Sequence, residues 1–353
     1  MRVYSANKFL HFADHIAALR DGRVIAPVHV RIKPINRCNH ACWYCAYRSD
    51  DLALGEDMDL EDRIPDDKMR EITDDLVAMG VRAVTFSGGG EPLLYKSLPD
   101  RVRDLAEGGV QVATLTNGSN LKGRMADAFA VYGTWVRVSL DAWDDASYAK
   151  SRSIREGAFS ALIDNLRAFA KRSSACVLGV SYIVDETNCG HIAEICRLLK
   201  DIGVRHVKLS AAVVSNDVGA NNAYHHRIAA TVAAQIDAAR ALDDAGFAIV
   251  DHYHEMEARF DKPYDTCPYM QFLTVIGADC GVYTCQDKAY SQSGLLGSIA
   301  DRSLREFWQS DELKQRMAAL NPRRDCRHHC VSHVKNEALL EVLSLDPAHV
   351  AFV

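Results

Sequence analysis

The stretch CNHACWYCAY, residues 38–47, decides how this chain of 353 residues is read. Its cysteines, Cys38, Cys42 and Cys45, follow the pattern Cys-x3-Cys-x2-Cys, and three thiolates are one too few. A four-iron four-sulfur cluster has four irons to ligate, and closed structural metal sites carry four protein ligands. The spacing thus predicts a cluster with one iron left open, where a small molecule binds and is broken. Tetrahedral zinc is the competing reading; it requires a fourth ligand, and His40 stands too close to Cys38 and Cys42 to be an obvious one.

Outward from this stretch, residues 28 to 210 alternate short apolar, β-prone runs with longer amphipathic segments, the pattern of repeated βα units and a parallel sheet. Strands are expected at VHVRIKPI, AVTFSGG, VQVATLTN, WVRVSLDA, CVLGVSYIV and HVKLSAAVV. Helices are expected over 65–79, 98–107, 125–132, 158–170 and 191–199, with acidic first turns and with Gly80 and Gly203 just past helix ends. A long alanine-rich helix is expected over 223–245. The fold class is therefore α/β: a partial (β/α)6 TIM-type barrel with a small C-terminal α+β cluster-binding domain. Three segments are expected: an N-terminal helical extension at 1–27, the barrel at 28–255, and a second domain at 256–353.

That second domain begins with FLTVIG and GVYTC, read as a hairpin around residues 278–281, followed by one amphipathic helix, SLREFWQSDELKQRMAAL. Cys267 and Cys285 stand at the hairpin's two feet, and Cys326 and Cys330 come later. Four cysteines suffice for a second four-iron cluster, with a zinc ribbon as the structural alternative. Cys280, in the turn, lies roughly 15 Å along the strand from Cys285 at 3.3 Å per residue, too far to share its iron in a regular hairpin. Cys176, Cys189 and Cys196 read as packing residues.

Composition sets bounds. A net charge of −6 offers no basic footprint for nucleic acid. No run approaches the apolar length of a membrane span, and the N-terminal segment lacks the apolar core of a signal peptide. Eleven cysteines without an export signal point to a reducing cytoplasm in which they stay thiols or metal ligands.

In parallel βα folds, ligands collect at the carboxyl ends of strands. Ser87, Gly88, Gly89, Gly90 and Glu91 follow the second expected strand, Thr116, Asn117 and Gly118 the third, and Ser139 and Asp141 the fourth. With CNHACWYCAY, the motifs SGGGEPLL, TNG, VSLDA and YAKSRSIREG resemble a radical S-adenosylmethionine (SAM) enzyme. The resemblance implies that Cys38, Cys42 and Cys45 hold a [4Fe-4S] cluster whose open iron binds SAM. It implies that Gly89, Gly90 and Glu91 meet the methionine amino group, that Ser139 and Asp141 lie near the ribose with Asn117 in the same cofactor pocket, and that Arg152 meets the carboxylate. SAM is then cleaved to a 5'-deoxyadenosyl radical, with flavodoxin or ferredoxin as reductant.

The C-terminal pattern is similar to the Twitch extension, a truncated relative of the SPASM domain, which implies an auxiliary [4Fe-4S] cluster on Cys267, Cys285, Cys326 and Cys330. Where that family has Asp-Gly in the turn, this chain has Cys280: a replacement ligand, a free thiol or a catalytic hydrogen donor. Lys208, Ser210, His252 and His254 are expected to hold substrate, and Asp287 and Lys288 to move a proton. Two outcomes stay open: oxidation of an alcohol carbon with the auxiliary cluster as electron acceptor, or epimerisation with Cys280 as donor. With 37 residues before Cys38, a sugar, aminocyclitol or nucleotide-sugar is expected ahead of a peptide, which would make the chain a peptide-modifying maturase. The non-enzymatic alternative is a two-cluster electron carrier.

Overall fold

The computed structural model describes residues 4–49, 52, 54–172, 174–253 and 260–352. Its centre is one continuous sheet of ten strands in the order β10-β9-β8-β1-β2-β3-β4-β5-β6-β7. Strands β1 (His29–Ile32), β2 (Ala83–Phe86), β3 (Gln111–Thr116), β4 (Gly133–Leu140), β5 (Val177–Val184), β6 (His206–Ala211) and β7 (Ala248–Asp251) run parallel in chain order. All six expected strands are present, and β7 adds a seventh. The expected boundary at 255/256 falls outside the described residues.

Helices connect these strands: α1 (Ala13–Arg20) precedes β1, and α2 (Asp66–Ala78), α3 (Leu98–Glu107), α4 (Gly123–Tyr132), α5 (Asp145–Arg152), α6 (Ala158–Ala170), α7 (Ile192–Ile202) and α8 (Val218–Arg240) follow in turn. The alternation of β1 explains the layering. Val30 and Ile32 are fully buried in one apolar cluster with Met69, Ile72 and Leu76 of α2, while His29, Arg31 and Lys33 occupy the opposite face of the strand, toward the barrel interior. Gly80, beyond the end of α2, has φ +74°, and Gly203, capping α7, has φ +101°; both are left-handed positions that a side chain strains.

One barrel helix was not expected. Helix α5 starts in a capping box in which the Asp144 side chain accepts from Ser147 N–H and the Ser147 hydroxyl oxygen accepts from Asp144 N–H. Its signature, Asp-x-x-Ser, lies between short polar residues that also suit a loop.

The C-terminal segment extends the barrel sheet instead of capping it from a distance. β8 (Leu273–Ile276) pairs parallel with β1 on the side away from β2, and β9 (Gly281–Tyr283) and β10 (Leu295–Ser298) follow antiparallel. The expected single helix is two, α9 (Leu304–Trp308) and α10 (Asp311–Ala319), because Ser310 caps α10 by accepting from Leu313 N–H. Short α11 (Pro322–Asp325) and α12 (His333–Ser344) complete the chain. Helix α9 packs on α2, where Arg305 N–H donates to Asp75 at 3.1 Å and Lys68 donates to Arg302 O at 2.8 Å. Trp308 Nε1 donates to Ile25 O at 2.8 Å, which ties α9 to the segment entering β1.

Phe307 is fully buried in the same apolar cluster as the barrel helices. Phe307→Ala is expected to cost about 3–5 kcal/mol. Calorimetry of this variant should show one transition shifted to lower temperature; a separate early transition would mean that the C-terminal segment melts alone.

Candidate active site

After β1 the chain leaves the sheet as the cysteine-bearing loop, folded on itself by Cys45 N–H donating to Cys42 O at 3.1 Å. Cys38, Cys42 and Cys45 line a cavity of about 430 Å³ at the carboxyl edge of the barrel strands. Burial pushes the Cys38 thiol up and the Cys42 thiol to about 11, so an electropositive partner is required to hold them as thiolates.

The loop is held by the end of α5. Ala41 N–H donates to Arg152 O at 2.9 Å and Trp43 N–H to Ser151 O at 3.2 Å. The Arg152 side chain, 1% exposed, forms a 2.6 Å ion pair with the wholly buried Asp141. Its Nη2 donates to Tyr44 Oη and to Ser139 O, both at 2.9 Å, which leaves Nη1, 3.5 Å from His40 Nδ1, as the least engaged guanidinium nitrogen. Ser151 Oγ also donates to Asp141. Burial and Arg152 lower the His40 pKa to about 4, so its imidazole is neutral.

The three glycines after β2 run against the same loop. Gly90 N–H donates to Ile35 O and Glu91 N–H to Arg37 O, each at 3.1 Å. A Cβ on Gly90 would stand 2.1 Å from Arg37 O, and one on Gly89 would stand 2.4 Å from Asn36 Oδ1. Buried Glu91 is engaged on both oxygens: Oε1 accepts from Leu93 N–H and Thr116 Oγ1, Oε2 from Asn117 N–H at 2.7 Å. Its side chain therefore ties the ends of β2 and β3 together, while Gly88, Gly89 and Gly90 present backbone to the cavity.

The cavity is also lined by Gln286, Asp287 and Val331, which flank the second group of cysteines. Cys267, Cys285, Cys326 and Cys330 are near enough to perturb one another, each thiol being pushed up chiefly by burial. Among the described residues, no three His, Cys, Asp or Glu groups converge tightly enough to hold one ion. All 11 cysteines are free, so the four of this group are available as metal ligands.

Between the two groups lies fully buried Lys33. Its Nζ donates to Gly88 O at 2.8 Å and to Tyr47 Oη at 2.5 Å, and Tyr47 in turn donates to Gln286 O at 2.9 Å. One chain of hydrogen bonds thus joins the glycine loop to the residue after Cys285. Asp287 Oδ2 accepts from Val331 N–H at 2.9 Å, and burial raises its pKa against the pull of Arg31, Lys33 and Lys262.

Most residues expected from sequence meet in this cavity: Cys38, Cys42, Cys45, Gly89, Gly90, Glu91, Asn117, Ser139, Arg152, Lys208, Ser210, His252 and Asp287 all line it. Asp141 does not; it serves as the buried counter-ion of Arg152. Lys288, expected to move a proton, instead bonds Ser293 Oγ and donates to Asp325 O at 2.8 Å, bracing the loop around Cys326. Cys280 is buried in the apolar core, among Lys68, Asp279, Asp62 and Glu71, with its thiol pushed up to about 11; it is not a cavity residue. His254 lies outside the described residues. Sequence reasoning missed His40, Tyr44, Tyr47 and Lys33. The polar alternation His29, Arg31, Lys33 along β1 was the signal available for the last.

A family model for the radical SAM superfamily matches residues 32–184, and one for the SPASM iron-sulfur cluster-binding domain matches residues 267–331. The chain is 28% identical over 166 residues, 47% of its length and 39% of the relative's, to Fe-coproporphyrin III synthase of Methanosarcina barkeri. It is 30% identical over 113 residues to the S-adenosylmethionine-dependent nucleotide dehydratase of Lacinutrix mariniflava, covering 32% of this chain and 23% of that one. It is 30% identical over 199 residues to GTP 3',8-cyclase of Synechococcus elongatus, covering 54% and 57%. These matches span less than two thirds of each relative's own length. Among solved structures, Streptococcus suis SuiB bound to its precursor peptide SuiA superposes with a TM-score of 0.64 at 15% identity, covering 94% of this chain and 81% of that one. Native anSMEcpe with bound AdoMet gives 0.59 at 16% identity, covering 90% and 99%. At these identities the likeness is one of fold.

Two outcomes test this geometry. Asp141→Asn leaves the Arg152 charge uncompensated and is expected to cost about 3–5 kcal/mol in denaturant unfolding; a cost below about 1 kcal/mol would mean that the pair does not hold the loop. Gly90→Ala should displace the loop through Arg37 O and lower the iron retained after anaerobic reconstitution, with the four C-terminal cysteines still loaded. Unchanged iron content would contradict the close packing.

Proposed function

Because the chain belongs to the radical SAM superfamily and carries a SPASM iron-sulfur cluster-binding domain, we propose that this enzyme oxidises an alcohol carbon of a small polar substrate, a sugar or nucleotide-sugar ahead of an aminocyclitol. Its cofactors are SAM, a SAM-binding [4Fe-4S] cluster and an auxiliary cluster. In this reading Cys38, Cys42 and Cys45 hold the first cluster, and Cys267, Cys285, Cys326 and Cys330 hold the second. Gly89 and Gly90 offer backbone oxygens to an ammonium group, Arg152 Nη1 meets a carboxylate, and flavodoxin or ferredoxin supplies the reducing electron.

Loaded, such a site supplies a 5'-deoxyadenosyl radical that takes a hydrogen atom and an iron-sulfur centre that takes an electron, so the alcohol loses those and a proton to become a ketone. The chain's own part is to orient the carbon and receive the proton. Asp287 is the base: it lines the cavity two residues after Cys285 and has Oδ2 fixed by Val331 N–H. The observation that carries the reading is a single cavity lined both by the first cysteine loop and by residues flanking the second group of cysteines. Epimerisation through Cys280 has no comparable support, because that thiol is not a cavity residue. Two of the relatives are named for action on nucleotides, which favours the nucleotide-sugar within the proposed set.

Reduced, anaerobic protein is expected to release 5'-deoxyadenosine from SAM and, with the right member of a panel of sugars, nucleotide-sugars and aminocyclitols, to yield a product lacking two hydrogen atoms. Asp287→Asn should keep forming 5'-deoxyadenosine while product falls roughly 100-fold or more. Deuterium uptake from solvent into a product of unchanged formula would show epimerisation and overturn the proposal.

A further inference from the structure

Tyr4, in the N-terminal extension, has no part in the chemistry above, yet its side chain contacts residues of β4, of β6 and of the segment just past β7. The segment that delivers it is anchored at the amino ends of the strands. Ser5 caps a short 3₁₀ helix (Ala6–His11) by accepting from Asn7 N–H at 3.1 Å. Phe9 of that helix is buried in an apolar cluster with Val28, which precedes β1, Phe272, which precedes β8, and Leu339 of α12. Tyr4 thus enters the barrel from a fixed point.

Its hydroxyl is held on two strands. Tyr4 Oη accepts from Arg137 Nη1 at 2.8 Å and lies 3.2 Å from His206 Nε2. Burial and Arg137 lower the His206 pKa to about 4, so the imidazole is neutral and its Nε2 can accept the phenol O–H. The seat for that imidazole is built into β5, where a Cβ on Gly179 would stand 2.3 Å from the His206 ring. Arg137 and His206 are both register partners of Gly179, so the hydroxyl is fixed at one level of the sheet. The Tyr4 ring meets two residues nearer the carboxyl edge. It stands edge-on to the His252 ring, with centroids 5.2 Å apart, and Lys208 Nζ lies 6.0 Å from its centre. Lys208 is two residues beyond His206 along β6, and His252 N–H donates to Leu209 O just past the end of β7. Both Lys208 and His252 line the cavity, whereas Tyr4 stands behind them.

A lysine ammonium sits on a flexible four-carbon stem, and it must be confined before it can recognise one geometry. An aromatic face attracts a cation, and an aromatic edge packs favourably against a second ring, so the Tyr4 ring restricts both cavity residues. The hydroxyl, bonded on two strands, restricts the ring in turn. We propose that Tyr4 is a positioning residue for the oxidation: it holds Lys208 and His252 from behind in the orientation in which they meet the polar groups of the substrate. The N-terminal extension thereby completes the active site. This inference rests on the reading in which the cavity holds a small polar substrate, and it adds a residue that sets how that substrate is bound.

Covalent labelling of the anaerobically reconstituted full chain tests the contacts without any substrate, with diethyl pyrocarbonate for histidine and acetic anhydride for lysine, each site followed by peptide mass spectrometry. Tyr4→Ala is expected to label at His252 and Lys208 about tenfold faster than the unmodified chain. Tyr4→Phe keeps the ring and should protect both, while labelling rises at His206, which loses its hydroxyl partner. Turnover of the sugar, nucleotide-sugar or aminocyclitol that the unmodified enzyme converts supplies the second readout. There Tyr4→Ala should raise KM about tenfold with a smaller fall in kcat, and Tyr4→Phe should recover most of that loss. Unchanged labelling of His252 and Lys208 in Tyr4→Ala, faster labelling with an unchanged KM, or a KM loss in Tyr4→Phe as large as in Tyr4→Ala would each overturn the proposal. The two readings fail separately: an unmodified chain that converts no member of the panel counts against the oxidation, whereas the labelling pattern alone decides whether Tyr4 holds Lys208 and His252.

Discussion

The buried pair of Arg152 and Asp141 is the constraint on which the rest of the site depends. A guanidinium and a carboxylate removed from water are tolerated only where each is almost fully hydrogen-bonded. Asp141 meets that requirement with Arg152 and Ser151, and Arg152 with Asp141, Tyr44 and Ser139. The geometry that satisfies them also fixes the cysteine loop against the end of α5 and the end of β4. With the loop so placed, the glycines after β2 can approach only because they have no side chains, and Glu91 closes the β2–β3 edge beneath them. The cluster-bearing loop is thus positioned by charge pairing on one flank and by close backbone packing on the other.

Much of this was legible in the sequence, because the features concerned are local. The strand-helix alternation gave every expected barrel strand, and the residues at strand ends converge because parallel βα units present their carboxyl edges to one face. What could not be read depended on contacts between distant segments. Arg152 was expected to face a ligand; its ion pair with Asp141 and its grip on Tyr44 require the fold. Lys288 and Cys280 follow or occupy a hairpin whose turn chemistry suggested function, yet the pairing of β8 with β1 sends Cys280 into the core near α2 and Lys288 toward Ser293 and Asp325. Helix α5 escaped notice because Asp and Ser suit loops as well as caps.

The chain separates its charges. The chain as a whole has a net charge of −6, while Arg31, Lys33, Arg137 and Lys208 lie inside the barrel. Lys33 spans the gap between the two cysteine groups through Gly88 O and Tyr47, which makes the glycine loop and the C-terminal segment parts of one hydrogen-bonded unit.

The central claim is that the three-cysteine site alone keeps an iron open for SAM while the four-cysteine site is closed. Electron paramagnetic resonance of the reduced protein, with and without SAM, tests this directly when the chain is compared with its Cys38→Ala/Cys42→Ala/Cys45→Ala variant. The account predicts roughly eight irons in the unmodified chain and half that number in the variant, with SAM altering the signal of the first and leaving the second untouched. A SAM-sensitive signal that survives in the variant, or a signal in the unmodified chain that SAM does not change, would contradict it.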